Sequence, residues 1–200
     1  MSEYHTLAGP SQGIVREKMS RFLAFAQPVT SSSEAKAFVA RIANEYHDAR
    51  HVCWAYMIGA DCKEFLSSDN GEPSGTAGKP ILGQIRSFGL TNLAIAVVRY
   101  FGGIKLGTSG LIVAYREAAR AAIEAGEITV GYEMASVRFT FPYLAMNDVM
   151  RTLKDSEARI VEQQFDNSCM IQVSIRSDHA QDLMRRISDI SGTSLEEDMP

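Results

Sequence analysis

The spacing of apolar residues predicts alternating strands and helices along the whole chain. In the first part, strands are expected at RFLAFAQPV, HVCWAYMI and NLAIAVVRYF, with a weaker one at KEFLS. The residues before Arg21 are expected to be flexible. NLAIAVVRYF is rich in β-branched residues and apolar on both faces, which is typical of a strand buried at the centre of a sheet.

Three helices are predicted between and after these strands. Ser31 and Glu34 have the spacing of a capping box, in which the two residues satisfy helix-end donors reciprocally. Pro80 suits the first turn of a second helix and Gly89 its end. Gly126 ends a third, long helix that is dense in good helix formers.

The alternation begins again after Gly131. A strand (MASVRFTF) and a helix (YLAMNDVMRTLKDS) come first, then strands ARIVEQQF and CMIQVSI joined by the tight turn DNS. A helix that Asp178 would cap and a weak strand at TSL follow. This β-α-β-β-α-β order is the plan of a ferredoxin-like domain. We predict an α+β fold with two domains, 1–131 and 132–200, each with helices on one face of a mixed sheet.

The charge of the chain changes at the same boundary. Residues 1–131 hold 13 Lys and Arg against 12 Asp and Glu, a net of +1, whereas residues 132–200 hold 7 against 12, a net of −5. Residues 79–120 carry six basic residues and one acid. This segment indicates an anion-facing surface, with solvated surface charges as the plain alternative.

Composition narrows the class of protein. No run reaches the roughly 18 apolar residues of a membrane span, and the first residues lack the basic-then-apolar pattern of a secretory signal. The three cysteines are odd in number and form no C-x-x-C pair, which argues against disulfides and structural zinc. We expect a cytoplasmic protein with no membrane partner, no metal and no cofactor.

Two glycine-rich segments are the candidates for an anion site. SDNGEPSGTAGKP is not a Walker loop, because Pro73 holds the place of its first glycine and Pro80 that of its Ser or Thr. GGIKLGTSG lacks the dinucleotide-binding glycine spacing. Both segments lead into helices, whose free amides attract anions, and Lys79 and Lys105 lie beside them. Side by side they would form a concave anion site; the alternative is that the glycines serve tight turns and close packing.

The candidate residues for binding an anion or nucleic acid are Ser74, Gly75, Thr76, Gly78, Lys79, Arg99, Tyr100, Gly102, Gly103, Lys105, Thr108 and Ser109. An arginine followed by aromatic residues is typical of single-strand nucleic-acid binders. Adjacent strand residues point to opposite faces, so one aromatic at most would join Arg99, and the other would pack in the core.

Catalytic chemistry has four candidate residues. Asp69 and Glu72 are three residues apart and resemble a carboxylate pair, although loop carboxylates more commonly form turns. His51 and Cys53 share one face of a strand and suggest a thiolate–imidazole pair, with a buried, inert thiol as the alternative. These residues alone do not match a recognisable catalytic motif.

The motifs together resemble the IMPACT family. The resemblance rests on SDNGEPSGTAGKPIL, AIAVVRYFGGIKLGTSGL and YREAARAA, and also on REKMSRF and ARHVCWAY, so it covers about residues 16–126. The family usually has Asp where this chain has Asn70. Asn keeps the turn geometry but removes a charge, which weakens the hypothesis that the two acids of the loop bind a metal.

The resemblance implies a first domain with the fold of domain IV of elongation factor G, also seen in a small-subunit ribosomal protein. It implies a second, ferredoxin-like domain similar to the last domain of that elongation factor. Eukaryotic members regulate translation during amino-acid starvation by competing for the activator of an initiation-factor kinase. Their role depends on an additional N-terminal domain for which this sequence shows no counterpart, so we do not expect the kinase role here.

We therefore predict a translation-associated protein, not an enzyme, that binds RNA or a ribosome-associated partner through the glycine-rich loops. The alternative is an enzyme that acts on a phosphorylated or carboxylated small molecule at the same loops. A contact with another protein of the translation machinery is the third hypothesis.

Overall fold

The computed structural model describes residues 3–166 and 168–196. It divides the chain into two compact units, one of residues 3–131 and one that begins at Tyr132. Helices and strands occur in both units, which confirms the predicted α+β class.

The first unit contains seven strands and three helices among its described residues. The strands are β1 Glu3–Leu7, β2 Ser11–Glu17, β3 Ser20–Pro28, β4 His51–Ile58, β5 Glu64–Ser68, β6 Leu93–Tyr100 and β7 Ile128–Tyr132. The helices are α1 Ser32–Glu45, α2 Gly78–Ser87 and α3 Gly107–Glu124.

Five of these strands form one sheet in the order β2-β3-β6-β4-β5. Strand β6 lies at its centre, as its apolar sequence predicts, and residues 93–99 are buried. Every pairing in this sheet is antiparallel, so the prediction of a mixed sheet is wrong for this unit. Strands β1 and β7 form a separate two-stranded sheet.

Helices cover both faces of the five-stranded sheet, which corrects the prediction that they cover one. On one face, Phe38 and Ile42 of α1 pack with Val98 of β6. On the other face, Ile85 of α2 and the helix α3 pack with Val97 of β6. Alternate residues of a strand point to opposite faces, so the apolar run of β6 supplies two separate cores.

The start of the chain is not flexible as predicted, since β1 and β2 begin there. Strand β2 pairs with β3 at the edge of the sheet and packs against α3. A Cβ on Gly13 would lie 2.6 Å from the backbone of Ala121, so glycine permits this close approach. An edge strand carries many polar side chains, so its sequence lacks the apolar alternation by which a strand is predicted.

The predicted cap of α1 is confirmed in part. The Ser31 side chain accepts a hydrogen bond from the Glu34 amide at 3.2 Å. The Glu34 carboxylate, however, accepts from the amide and hydroxyl of Thr30 at 2.6 and 3.0 Å. The reciprocal bond of the capping box thus reaches one residue further back than predicted.

The second unit is a four-stranded antiparallel sheet with two main helices. Its elements are β8 Met134–Phe141, a 3-10 turn Tyr143–Ala145, α4 Met146–Asp155, β9 Arg159–Phe165, β10 Cys169–Arg176, α5 Ser177–Ser188 and β11 Ser194–Glu196. The strand order is β11-β8-β10-β9, and every pairing is antiparallel, so the prediction of a mixed sheet is wrong for this unit as well. Both helices pack into one apolar cluster on one face of this sheet.

Two local predictions in this unit have different outcomes. Helix α5 begins at Ser177 with Arg176 in the N-cap position, so Asp178 lies in the first turn rather than at the cap, and its carboxylate accepts from the Arg176 guanidinium. The predicted turn DNS includes Asn167, which lies outside the described residues. Over residues 3–166 and 168–196, no helix is both long and apolar enough to cross a membrane.

Candidate functional site

A tight turn at Asp69–Glu72 organises the first glycine-rich segment. Asn70 and Gly71 both have positive φ, at 39° and 82°, and the Glu72 amide donates to the Asp69 carbonyl at 2.9 Å. Positive φ at both central residues is the requirement of a type I′ turn, for which Asn-Gly is the preferred pair. The Asn70 side chain also donates to the Val52 carbonyl at 2.9 Å, which ties the turn to β4.

Asp69 fills the start of helix α2. Its carboxylate accepts from the amides of Gly75 and Gly78 at 2.8 Å and from that of Ala77 at 3.0 Å. Burial raises the pKa of Asp69, but the three amide donors and the nearby Lys79 outweigh it and leave the pKa below its ordinary value. The predicted anion at this helix end is therefore the protein's own carboxylate.

Glu72 and Arg99 form a buried ion pair behind this turn. Arg99 Nη1 lies 2.6 Å from Glu72 Oε1, and the same oxygen accepts from the Tyr115 hydroxyl at 2.8 Å. Tyr115 is fully buried on α3, and burial raises the pKa of its hydroxyl. Arg99 is 7% exposed, and its Nε has no hydrogen-bond partner within the described part of the chain.

Cys53 belongs to the same buried network. Its thiol donates to the Asp69 carbonyl at 2.9 Å and lies 3.3 Å from the Tyr115 hydroxyl. Burial raises the pKa of Cys53 to about 12. A thiolate nucleophile needs a lowered pKa, so this structure argues for the inert buried thiol and against the thiolate–imidazole pair.

The pairing of β4 with β6 brings the predicted candidates together. In this register His51 lies opposite Arg99, so the start of β4 and the end of β6 meet at one edge of the core. His51 Nδ1 lies 2.7 Å from the Asn70 carbonyl oxygen. A carbonyl only accepts, so Nδ1 carries the proton in this arrangement and Nε2 is the nitrogen left as a base.

A cavity of about 380 Å³ opens at this place in the first unit. Segments from β4, from both glycine-rich segments and from α3 line it. The lining residues are Arg50, His51, Glu72, Pro73, Arg99, Phe101, Lys105, Leu106, Gly107, Thr108 and Leu111. The two segments thus lie side by side, as the predicted concave site required.

The lining of the cavity is positively charged. It contains three cations (Arg50, Arg99 and Lys105) and one carboxylate (Glu72), which gives a net of two positive charges with His51 neutral. Helix α3 begins at this cavity and has no acidic residue in its first turn. The positive end of its dipole adds to the attraction for an anion.

The two aromatic residues after Arg99 separate as predicted. The Phe101 ring lies 5.5 Å from the Arg99 guanidinium carbon and is 53% exposed in the cavity wall. Tyr100 points to the other face, where its hydroxyl donates to Asp48 at 2.7 Å and its ring packs beside the α1 core. Phe101 is therefore the aromatic residue that accompanies Arg99.

Some of the residues predicted to bind an anion or to act in catalysis line the cavity. Those that do are His51, Glu72, Arg99, Lys105 and Thr108, and those that do not are Cys53, Asp69, Ser74, Gly75, Thr76, Gly78, Lys79, Tyr100, Gly102, Gly103 and Ser109. The first glycine-rich segment thus mainly forms the turn and the start of α2, and contributes little to the cavity lining. A Cβ on Gly78 would lie 2.7 Å from the Ser68 amide nitrogen, which confirms the close-packing alternative for this glycine.

Comparison with known proteins decides the family. The family model of the Impact N-terminal domain matches residues 18–123. The chain is 31% identical to the IMPACT family member YigZ of Escherichia coli (strain K12) over 193 residues, which cover 94% of each chain. The chain belongs to the IMPACT family.

Solved structures give two further similarities. One crystal structure, described as that of a hypothetical protein, aligns with 100% of both chains at 29% identity and a TM-score of 0.78. A structure of Yih1, described as a two-domain translational regulator, aligns with 60% of this chain and 48% of its own at 25% identity and a TM-score of 0.39.

Several residues of the site were not predicted from the sequence. Arg50 precedes β4 by one residue, and only the register of β4 on β6 brings it to the cavity that Arg99 also lines. Tyr115 carries the one hydroxyl among the buried residues of α3, which is a signal that the sequence offers. Leu106 and Leu111 have no such signal, because they resemble ordinary core residues.

Proposed function

We propose that this IMPACT family member is a translation-associated regulatory protein that binds RNA at the cavity of its first unit. The observation that carries the proposal is the meeting of Arg50, Lys105 and the start of α3 around one exposed aromatic ring, Phe101. Cations and helix amides bind phosphates, and aromatic rings stack on bases. The translational part of the proposal follows what the family resemblance implies.

The proposal is narrower than the sequence prediction. Lys79 lies beside Asp69 and outside the cavity, and the amides of Gly75 and Gly78 are occupied by Asp69. The RNA-binding surface that we propose therefore consists of the cavity and its exposed rim at Arg50 and Lys105.

The fold and the cell compartment form a second part of the proposal. We propose that the two units are the domains 1–131 and 132–200, the first related to domain IV of elongation factor G. The order β-α-β-β-α-β and the strand order β11-β8-β10-β9 support a ferredoxin-like second domain. The three free cysteines suit a reducing compartment, and we propose the cytoplasm.

Charge reversal at the cavity tests the RNA proposal. Phosphate contacts make RNA affinity fall with salt, with a log–log slope of about −0.7 per contact for single strands. We expect Arg50→Glu and Lys105→Glu each to weaken RNA binding and to reduce that slope by roughly one contact. Lys36→Glu makes the same charge change on α1, on the opposite face of the sheet, and is the matched control.

Fluorescence anisotropy with labelled single-stranded RNA, measured over a salt series, gives both quantities. Equal losses of RNA affinity in Lys36→Glu and Lys105→Glu would contradict the proposal, and so would an absence of RNA binding at low salt. Co-purification with ribosomal fractions from the native host then separates a role in translation from a role in small-molecule metabolism.

One observation favours a second candidate, an enzyme acting on a phosphorylated or carboxylated small molecule. His51 and Glu72, two of the four predicted catalytic residues, line the same cavity as the cations. His51 Nε2 is the ring nitrogen left as a base, whereas Glu72 Oε1 already accepts from Arg99 and Tyr115. Thermal stabilisation by small anions, with no RNA binding, is the result that would favour this candidate.

A further inference from the structure

We propose that the cavity accepts one nucleoside phosphate, with the phosphate at the start of α3 and the base on the Phe101 ring. This inference rests on the proposed function and names the part of the RNA that is recognised. The moiety would be the 5′-terminal nucleotide of a single strand, and a free nucleotide presents the same chemistry.

The phosphate end of the cavity is the start of α3. This helix has 18 residues, and no side chain within the described part of the chain accepts a hydrogen bond from its first amides. Helix α2 makes the contrast, because Asp69 fills its first turn. Lys105 and Thr108 flank the open helix end in the cavity wall. Free amides, a hydroxyl and an ammonium group together form the usual donors to a phosphate.

Arg99 supplies an independent indication of a ligand. It is more than nine-tenths buried, lines the same cavity, and its Nε has no partner among the described residues. Glu72 engages only Nη1. A buried guanidinium with unused donors is costly in a native structure. Arg99 lines the cavity and Glu72 holds only one of its nitrogens, so an anion that binds there would meet a positive charge with donor capacity to spare.

The apolar part of the cavity lining suits a base. Phe101 is 53% exposed, and Pro73, Leu106 and Leu111 add further apolar surface. The volume of about 380 Å³ lies at the small end of ligand pockets. This volume suits one nucleotide and excludes a duplex, whose bases are also stacked on each other. Recognition would therefore occur at a strand end.

Calorimetric titration with a short oligouridylate, with and without a 5′-phosphate, tests this inference on the full chain. We expect the 5′-phosphate to raise affinity roughly tenfold or more, because charge-assisted hydrogen bonds are the strong ones. Lys105→Gln should remove this gain, and Phe101→Ala should weaken binding of both oligonucleotides roughly 5- to 150-fold.

Two variants control for charge and for aromatic surface. Lys79→Gln removes an exposed lysine beside the other helix start, and Phe65→Ala removes an exposed ring on β5; neither residue lines the cavity. Both should bind like the wild type. If Lys79→Gln and Lys105→Gln behave alike, or if the 5′-phosphate changes nothing while RNA still binds, the inference is wrong and the RNA proposal stands.

Free UMP separates the two sources of the moiety. If UMP binds and depends on Lys105 and Phe101 while no oligonucleotide binds, the nucleoside phosphate site is supported and the RNA proposal fails. If neither UMP nor any oligonucleotide binds, both are overturned.

Discussion

Arg99 and Glu72 hold the cavity wall together through an ion pair that water hardly reaches. Their side chains are 8% and 4% exposed, and Nη1 lies 2.6 Å from Oε1. Breaking a buried pair leaves one charge uncompensated, which typically costs about 3–5 kcal/mol. We therefore expect Glu72→Gln to lower the free energy of unfolding by roughly 3 kcal/mol, as measured by urea denaturation.

An exposed ion pair in the same unit provides the control. Arg120 and Glu124 lie four residues apart on α3, and their side chains are about half exposed. Glu124→Gln should change the free energy of unfolding by less than about 0.5 kcal/mol. Equal effects of the two substitutions would mean that the buried pair is not what stabilises this wall.

The capping role of Asp69 gives a prediction about pH. We expect Asp69→Asn to cost about 1–2 kcal/mol at pH 7, because a neutral amide binds the three amide donors at and before the start of α2 less strongly. The folded-state pKa of Asp69 is lowered, so its contribution is complete above the unfolded pKa, near 3.8, and is lost as pH falls through the folded pKa.

Urea titrations from pH 7 to pH 2 would therefore show the stabilities of wild type and Asp69→Asn converging in acid. Asp61→Asn is the control, because Asp61 is solvent-exposed and pairs with Lys63 on the surface. A difference between wild type and Asp69→Asn that stays constant down to pH 2 would refute the capping role of the charge.

Two glycines of α2 should respond oppositely to alanine. Gly83 has nothing within 4 Å of an added Cβ, so Gly83→Ala should stabilise the protein by about 0.4–1 kcal/mol. A Cβ on Gly78 would lie 2.7 Å from the Ser68 backbone, so Gly78→Ala should destabilise it by about 1–3 kcal/mol. Thermal denaturation measures both, and the same sign for the two would be inconsistent with the packing described.

Much of the fold follows from the sequence, since the apolar runs place most helices and strands. Strands β1 and β2 escape this reading because their exposed polar residues obscure the alternation. The presence of helices on both faces of the sheet could have been predicted from the sequence. A strand that is apolar on both faces, like β6, requires a packed layer on each side.

The site was predictable only in part. It depends on strand register and on which group accepts hydrogen bonds from the amides at each helix start. The pairing of His51 with Arg99 joins residues far apart in sequence, and no local pattern encodes it. Asp69 was predicted as a turn former or catalytic acid, but its occupation of the α2 amides appears only when the loop folds back. That contact makes the two glycine-rich segments unequal, with one helix end filled and the other open.

Cysteine reactivity tests the buried network. Burial raises the pKa of Cys53 to about 12, so at pH 8 the thiolate fraction is about one in 10⁴. We expect iodoacetamide to modify the half-buried Cys62 in the native protein and to spare Cys53 and the buried Cys169, as read by peptide mass spectrometry. Native Cys53 reacting as fast as Cys62 would revive the nucleophile hypothesis.

The most direct test of the central claim is an NMR titration of the isotope-labelled protein with 5′-phosphorylated single-stranded RNA. We expect the amide signals of Gly107, Thr108 and Ser109 at the open start of α3 to shift on binding. Those of Gly75 and Gly78, already bonded to Asp69, should stay in place. Shifts at the start of α2 but not of α3, or only after residue 131, would contradict it.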